Sequence, residues 1–146
     1  MPTLKEQLGS GEKRRLVIDD ACQVLDQEVA SKGGLSGAAI KAAYGLVKGI
    51  KAGFVREVVD TLLDDFLDAL DPLYAESVKQ GVGAGAHLRA NAERAAEGLL
   101  AVTDSRAERA HRAVIKKTYG RLRPTAKKHV ESAMPRVAEM LDRQLA

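Results

Sequence analysis

The amino-acid sequence predicts an all-α protein, a compact bundle of five to seven helices. Ala, Leu, Val, Glu, Lys and Arg dominate the composition, and 45% of the residues are hydrophobic. Apolar residues recur at the three- and four-residue spacings of amphipathic helices, and the period-two alternation of half-buried strands is missing. A chain of 146 residues can bury a core without a disulfide or a metal, so we expect residues 1–146 to form one domain.

Two helices can be placed in the first part of the chain. Thr3 and Glu6 form a capping-box pair, which predicts a short helix over residues 3–8. Ser10 is a suitable N-cap for a second helix, whose apolar stripe includes Cys22. We interpret this cysteine as a core residue and not as a nucleophile. The Gly-Gly pair at residues 33–34 ends the second helix.

The third predicted helix, residues 36–52, is the most distinctive stretch of the chain. It has a broad apolar face, a face almost without side chains and a narrow stripe that carries its lysines. A helix with so little polar surface is normally buried on two sides, so we expect it at the centre of the bundle. A larger side chain at Gly45 or Gly49 should then overpack the interior. The candidate close helix-packing face consists of Ala38, Ala42, Gly45, Gly49 and Gly53.

The remaining helices are predicted from apolar spacing, caps and breakers. Helix 54–70 is apolar on one face and acidic on the other, and Asp71-Pro72 predicts the start of a new short helix. A glycine-rich connector over residues 81–85 precedes helix 86–102. Helix 106–119 follows three candidate N-caps, Thr103, Asp104 and Ser105. It should stop at Gly120 and Pro124, and Pro135 should kink or split the last helix.

The motif Ile-Lys-x-x-Tyr-Gly occurs twice, at residues 40–45 and 115–120. Apolar residues downstream of the two copies also follow the same spacing. One interpretation is a duplicated helix pair, residues 36–80 and 105–146, related by a pseudo-two-fold axis. The alternative is chance combined with the spacing that all amphipathic helices share.

Charge is distributed unevenly along the chain. Residues 57–76 contain seven acids and no base, whereas residues 106–128 contain nine bases and one acid. These bases are a candidate surface for a polyanion or another partner, and a nucleic-acid backbone is one such polyanion. Alternatively, helices 54–70 and 106–119 face each other, within a monomer or across a dimer. The nine basic residues are Arg106, Arg109, Arg112, Lys116, Lys117, Arg121, Arg123, Lys127 and Lys128.

The sequence contains no recognisable catalytic or cofactor site. Glu108-x-x-His111 has the spacing of one element of a di-iron bundle, but a second such element is missing, and His111 is better explained as a core histidine. No nucleophile motif or phosphate-binding glycine loop is present. We therefore expect no enzymatic activity, no metal and no other cofactor.

These observations favour a small non-enzymatic interaction protein that self-associates. A single cysteine fits a reducing compartment, and no signal peptide or membrane-length apolar run occurs, so we expect a cytoplasmic location. Nucleic-acid binding through residues 106–128 is the alternative. Lipid or membrane-surface binding is a second alternative, disfavoured because the third helix has only a thin lysine stripe. No small-molecule substrate is identified.

The chain resembles an uncharacterised family of small bacterial helical proteins, a domain of unknown function. The likeness is carried by IKAAYG, by the acidic run LLDDFLDALDPLY and by TYGRLRPTAKKHVE, and it extends nearly end to end. This resemblance implies a stand-alone domain in the bacterial cytoplasm. It implies no activity, ligand or catalytic residue.

Overall fold

A computed structural model describes residues 2–146, and this part of the chain forms helices and no strand. The predicted all-α fold class is confirmed. The helices are Leu4–Leu8 (α1), Gly11–Ser31 (α2), Gly34–Lys48 (α3), Phe54–Gln80 (α4), Ala84–Ala90 (α5), Ala92–Glu108 (α6) and Ala113–Leu145 (α7). The capping box predicted for α1 is present, with Thr3 and Glu6 each accepting the other's backbone N–H.

The hydrophobic core is built around the middle of α4. Four leucines at helical spacing, Leu63, Leu67, Leu70 and Leu73, are each no more than 6% exposed. Helix α4 packs against α1, α2, α5 and α6, while α7 closes the other side of the bundle on α2, α5 and α6. The core is completed by Leu4, Leu8, Val17, Ile18, Leu88, Ala95, Met134, Ala138 and Leu141. The central element is therefore the amphipathic helix with the strongest leucine stripe.

Asp71-Pro72 does not start a new helix, because α4 runs through both residues to Gln80. The carboxylate of Asp71 instead accepts the backbone N–H of Leu4 at 2.9 Å and so caps α1. Pro72 is exposed, and a carbonyl that loses its helical partner on the solvent side can be hydrated. The residue pair that resembles a helix start therefore serves a different helix.

Helix α7 likewise continues where the sequence predicted a stop. It passes Gly120, Pro124 and Pro135 without interruption, so the predicted breaks at the first two and the predicted split at the third are wrong. All three residues are exposed, so water can satisfy the carbonyls that the prolines leave without a donor. The helix is held by the tertiary packing of its apolar face.

The predicted helix boundary at Ser105 is also wrong. Helix α6 runs through this residue, and the chain leaves the helical conformation at residues 109–112. The side chains that resembled caps are used elsewhere: Asp104 accepts hydrogen bonds from Tyr119 and Arg123 of α7. Asp104 therefore joins α6 to α7 and does not cap a helix that starts next to it.

Helix α3 lies at the edge of the bundle and not at its centre. Gly37 is its only buried residue, and Leu35 and Leu46 are 93% and 53% exposed. A Cβ atom added at Gly45 would have open space around it, and one at Gly49 would make only ordinary contacts with the backbone oxygens of Gly45 and Leu46, at 3.4 and 3.5 Å. The predicted overpacking is therefore wrong. A bare face has little apolar area to bury and cannot compete with the leucines of α4 for the core. The candidate packing face is exposed throughout, at Ala38, Ala42, Gly45, Gly49 and Gly53.

The two copies of the Ile-Lys-x-x-Tyr-Gly motif lie in different structural contexts. The first copy belongs to a helix–loop–helix, α3 and α4, whereas the second copy and the residues downstream of it lie in the single helix α7. A duplicated helix pair does not describe this fold. One detail is shared: Tyr44 donates to Asp26 of α2, and Tyr119 donates to Asp104 of α6.

A buried carboxylate joins α2 to α7. Glu28 is 6% exposed and accepts hydrogen bonds from Arg136 at 2.6 Å and from Lys32 at 3.0 Å. The Lys32 ammonium also donates to the Ser132 hydroxyl at 2.7 Å. The end of α2 is thus anchored on the middle of α7 by charge-assisted hydrogen bonds.

Candidate functional site

The nine basic residues of the predicted surface do not act as one unit. Three of them form ion pairs within the monomer: Arg106 with Asp65, Arg123 with Asp104, and Lys127 with Glu93 and Glu97. Arg109, just after α6, donates to Ser105 of that helix, and the Arg112 guanidinium lies 5.6 Å from the centre of the Phe54 ring. Six bases are exposed and form no ion pair among residues 2–146: Arg109, Arg112, Lys116, Lys117, Arg121 and Lys128.

The acidic face of α4 is largely neutralised by α1 and α2. Arg14 pairs with Asp60 at 2.9 Å and with Asp64 at 2.7 Å, and Lys5 pairs with Asp68 at 3.3 Å. Only the pair of Arg106 with Asp65 joins the two oppositely charged stretches. Arg14 was missed from the sequence, because its partners lie about 50 positions away along the chain.

An apolar cleft lies between α3, α4 and the junction of α6 with α7. Its volume is about 490 Å³, and an adjoining cavity of about 260 Å³ shares Val47, Val58, Thr118 and Leu122 with it. The two volumes therefore lie side by side along these four residues. Apolar side chains that line the larger part include Phe54, Leu62, Ala107, Ala110 and Ile115, and the smaller part is lined by Leu25, Val29, Ile40, Val55 and Val59.

A hydrogen-bonded cluster forms one wall of the cleft. The Tyr119 hydroxyl lies 2.7 Å from the Thr103 hydroxyl and donates to Asp104, which also accepts from Arg123 at 2.8 Å. The hydrogen bond from Arg123 lowers the pKa of Asp104, and partial burial together with the Asp104 carboxylate raises the pKa of Tyr119. The phenol therefore stays protonated near neutral pH and holds α7 against α6.

The end of the cleft at the α6–α7 junction is positively charged. Arg106, His111 and Arg112 line it, and Glu57, also in the lining, is paired with Lys51 at 3.0 Å. The Nε atom of Arg106 is buried without a hydrogen-bond partner. His111 is exposed on the connector between the helices, so its interpretation as a core histidine is wrong. The reason is that the helix predicted to hold it begins only at Ala113.

Three other features of the described chain bear on possible sites: metal ligands, membrane-spanning helices and the cysteine. No group of three or more His, Cys, Asp or Glu side chains within residues 2–146 is placed to hold a metal ion. None of the helices described combines the length and the apolar character needed to cross a membrane. Cys22 is half-buried and packs against the core, and this burial raises the pKa of its thiol.

Comparison with protein families gives one match. The model of a family of unknown function (DUF6918) matches residues 4–145. Neither the curated proteins nor the solved structures include a match to this chain.

Proposed function

We propose that this chain, which belongs to the family of unknown function DUF6918, is a small non-enzymatic cytoplasmic interaction protein that forms a homodimer through α3. The observation that supports this proposal is the composition of the exposed face of α3. That face carries no acid, amide or hydroxyl group. It consists of Gly34, Leu35, Ala38, Ala39, Lys41, Ala42, Gly45, Leu46 and Lys48. Contiguous apolar surface of this kind commonly marks an interaction site.

The geometry of the face suits a second copy of itself. Ala38, Ala42 and Gly45 form its centre, so two such helices can approach closely, with Leu35 and Leu46 along one edge. The exposed lysines lie along the opposite edge. In a parallel pair about a two-fold axis, each lysine edge meets the leucine edge of the other helix, where the aliphatic lysine stems can cover the leucines. The lysines of the two copies then stay apart.

A dimer of this kind should be insensitive to salt. It would be stabilised by apolar burial, whereas a dimer between the acidic and basic stretches would weaken as salt screens their charges. The ion pairs of Arg14 and Lys5 with the acidic face of α4 within the monomer also leave fewer acids for such a charge-driven dimer.

Light scattering after size exclusion, across protein concentration and at low and high salt, tests the proposal. We expect a dimer that persists at high salt. Ala42→Glu should give a monomer, because it would bury a charge in the centre of the proposed interface. Helicity should not change, because Ala42 is exposed in the single chain. Ala101→Glu, at an exposed position on α6, is the matched control and should remain dimeric. A monomeric wild type in both salts, or a dimer indifferent to Ala42→Glu, contradicts the proposal.

A nucleic-acid partner has less support from the basic surface. The six bases without ion pairs could neutralise at most six phosphates, so the logarithmic salt slope would reach about −5.4 at most. Non-specific binding of that size is weak at physiological salt.

A further inference from the structure

We propose, independently of the α3 dimer, that the cleft between α3, α4 and the α6–α7 junction binds a long-chain carboxylate. The acyl chain lies along the apolar space, and Arg112 holds the head group. Three features of the cleft support this assignment: its volume, the restriction of charged side chains to one end, and the absence of a carboxylate partner for Arg112 at that end.

The volume and lining of the cleft fit an apolar chain. About 490 Å³ and the adjoining 260 Å³ together fall within the size range of small-molecule sites in proteins. The two parts adjoin at Val47 and Val58, and in the proposed complex the acyl chain passes from one part to the other there. A bound acyl chain would remove the apolar lining of this open cleft from water, which favours binding.

Charged side chains line the cleft at one end only. Leu25, Val29 and Ile40 surround the end between α2 and α3, where no charged side chain contributes to the lining. Arg106, His111 and Arg112 surround the other end. A molecule with one apolar chain and one charged head group matches this asymmetry better than a wholly apolar or a wholly polar ligand.

The sign of the charge at the polar end selects an anion. Within the described chain the Arg112 guanidinium has no carboxylate partner and lies over the Phe54 ring, 5.6 Å from its centre. The Nε atom of Arg106 is buried and unpaired, although the same guanidinium donates to Asp65 at 3.0 Å. The acids nearby, Glu57 and Asp65, are already paired with a lysine and an arginine. One free guanidinium suits a single carboxylate, which it can bind through two parallel hydrogen bonds.

Displacement of the uncharged dye Nile red from the purified full chain tests this site. Dodecanoate and dodecanol share a chain and differ in the head group, and both are used below their aggregation limits. We expect dodecanoate to displace the dye at about tenfold lower concentration than dodecanol, a modest gain for a charge-assisted contact because the Arg112 guanidinium is exposed to solvent. Arg112→Gln should abolish that ratio and leave dodecanol unaffected. Arg109→Gln is the control, because Arg109 does not line the cleft and bonds to Ser105.

A second pair of variants tests the position of the chain. Thr118 lines both parts of the cleft, so Thr118→Phe should weaken binding of both ligands. Thr118→Leu fills less of the cleft and serves if the larger substitution unfolds the protein. Equal displacement by the two ligands in the wild type, or an unchanged ratio in Arg112→Gln, overturns the carboxylate assignment. Absence of dye and ligand binding overturns the site. Ala42→Glu should bind normally, so failure of the dimer and failure of the cleft are separable.

Discussion

Aspartate side chains on the long helices provide N-terminal hydrogen bonds to the two short ones. Asp71 of α4 accepts the N–H of Leu4 at the start of α1, and Asp142 of α7 accepts the N–H of Gly85 at the start of α5, both at 2.9 Å. The first N–H groups of a helix have no partner within it, and a carboxylate placed there also interacts favourably with the helix dipole. Helices of five and seven residues are marginal alone, so these long-range caps fix where they form.

The contact of Gly85 with Asp142 leads to a prediction about two glycines. A Cβ at Gly85 would lie 2.2 Å from a carboxylate oxygen of Asp142 and 2.8 Å from the backbone oxygen of Ala138. The side chain can move, but the backbone oxygen cannot, so Gly85→Ala should lower the free energy of unfolding by about 1–3 kcal/mol. Gly120 is exposed inside α7 with no atom within 4 Å of an added Cβ, so Gly120→Ala should raise it by about 0.5–1 kcal/mol. Urea unfolding measures both. A change of the same sign in both variants would contradict this account.

At the scale of helices, the contact between α2 and α7 depends on one buried carboxylate. Glu28→Ala removes the acceptor of Lys32, which is itself nearly buried, and of Arg136. We expect the free energy of unfolding to fall by about 1–3 kcal/mol, below the largest losses for buried pairs because Arg136 can turn to solvent. Glu139→Ala is the matched control: Glu139 lies on α7, exposed, with Arg89 3.4 Å away, and should change stability by less than about 0.5 kcal/mol. Equal losses in thermal or urea unfolding would show that the buried carboxylate has no special role.

Helix type and most helix starts could be predicted from the sequence, because they depend on neighbours along the chain. The capping box of α1 is a local pattern, and the sequence predicted it correctly. The glycines on either side of α4, with φ of 74° and 70°, are local signals as well, and the sequence placed a helix start after the first and a connector at the second. Local patterns failed where a side chain had a distant partner. Asp71 and Asp104 resembled caps of nearby helices but bond to α1 and α7. The prolines of α4 and α7 were predicted to mark helix boundaries or a kink. Their helices continue because these prolines are exposed, and that exposure depends on how the whole bundle packs.

The candidate sites could be predicted only in part. The nine bases of the predicted surface are visible in the sequence, but which of them remain unpaired depends on acids from α4 and α6. The cleft brings Val47 beside Thr118, two positions with no sequence relation that a local pattern could reveal. The apolar and bare faces of α3 were recognised, but their burial was not. A helix with two such faces can meet the core or a second chain, and hydrophobicity alone does not distinguish them.

At the scale of the whole molecule, the bundle is packed unevenly. Helices α4, α5, α6 and α7 share most of the core, while α3 contributes no side chain to the buried cluster and touches α2, α4 and α7 only lightly. The cleft lies on its inner side and the exposed bare face on its outer side. An element with few buried contacts opens at lower free energy than the core around it. Both proposals therefore predict that α3 is the part of the molecule that binding stabilises.

Amide hydrogen exchange measured as a function of protein concentration tests that conclusion. In dilute solution we expect the amides of α3 to exchange much faster than those around Leu63 and Leu67 of α4, because opening α3 exposes little apolar surface. As concentration rises, dimer formation should slow exchange in α3 and leave α4 unchanged. Ala42→Glu should remove the concentration dependence without affecting α4. If α3 is as protected as α4 at the lowest concentration, it is not a peripheral helix. If its protection does not depend on concentration in the wild type, its exposed face is not the surface through which the protein self-associates.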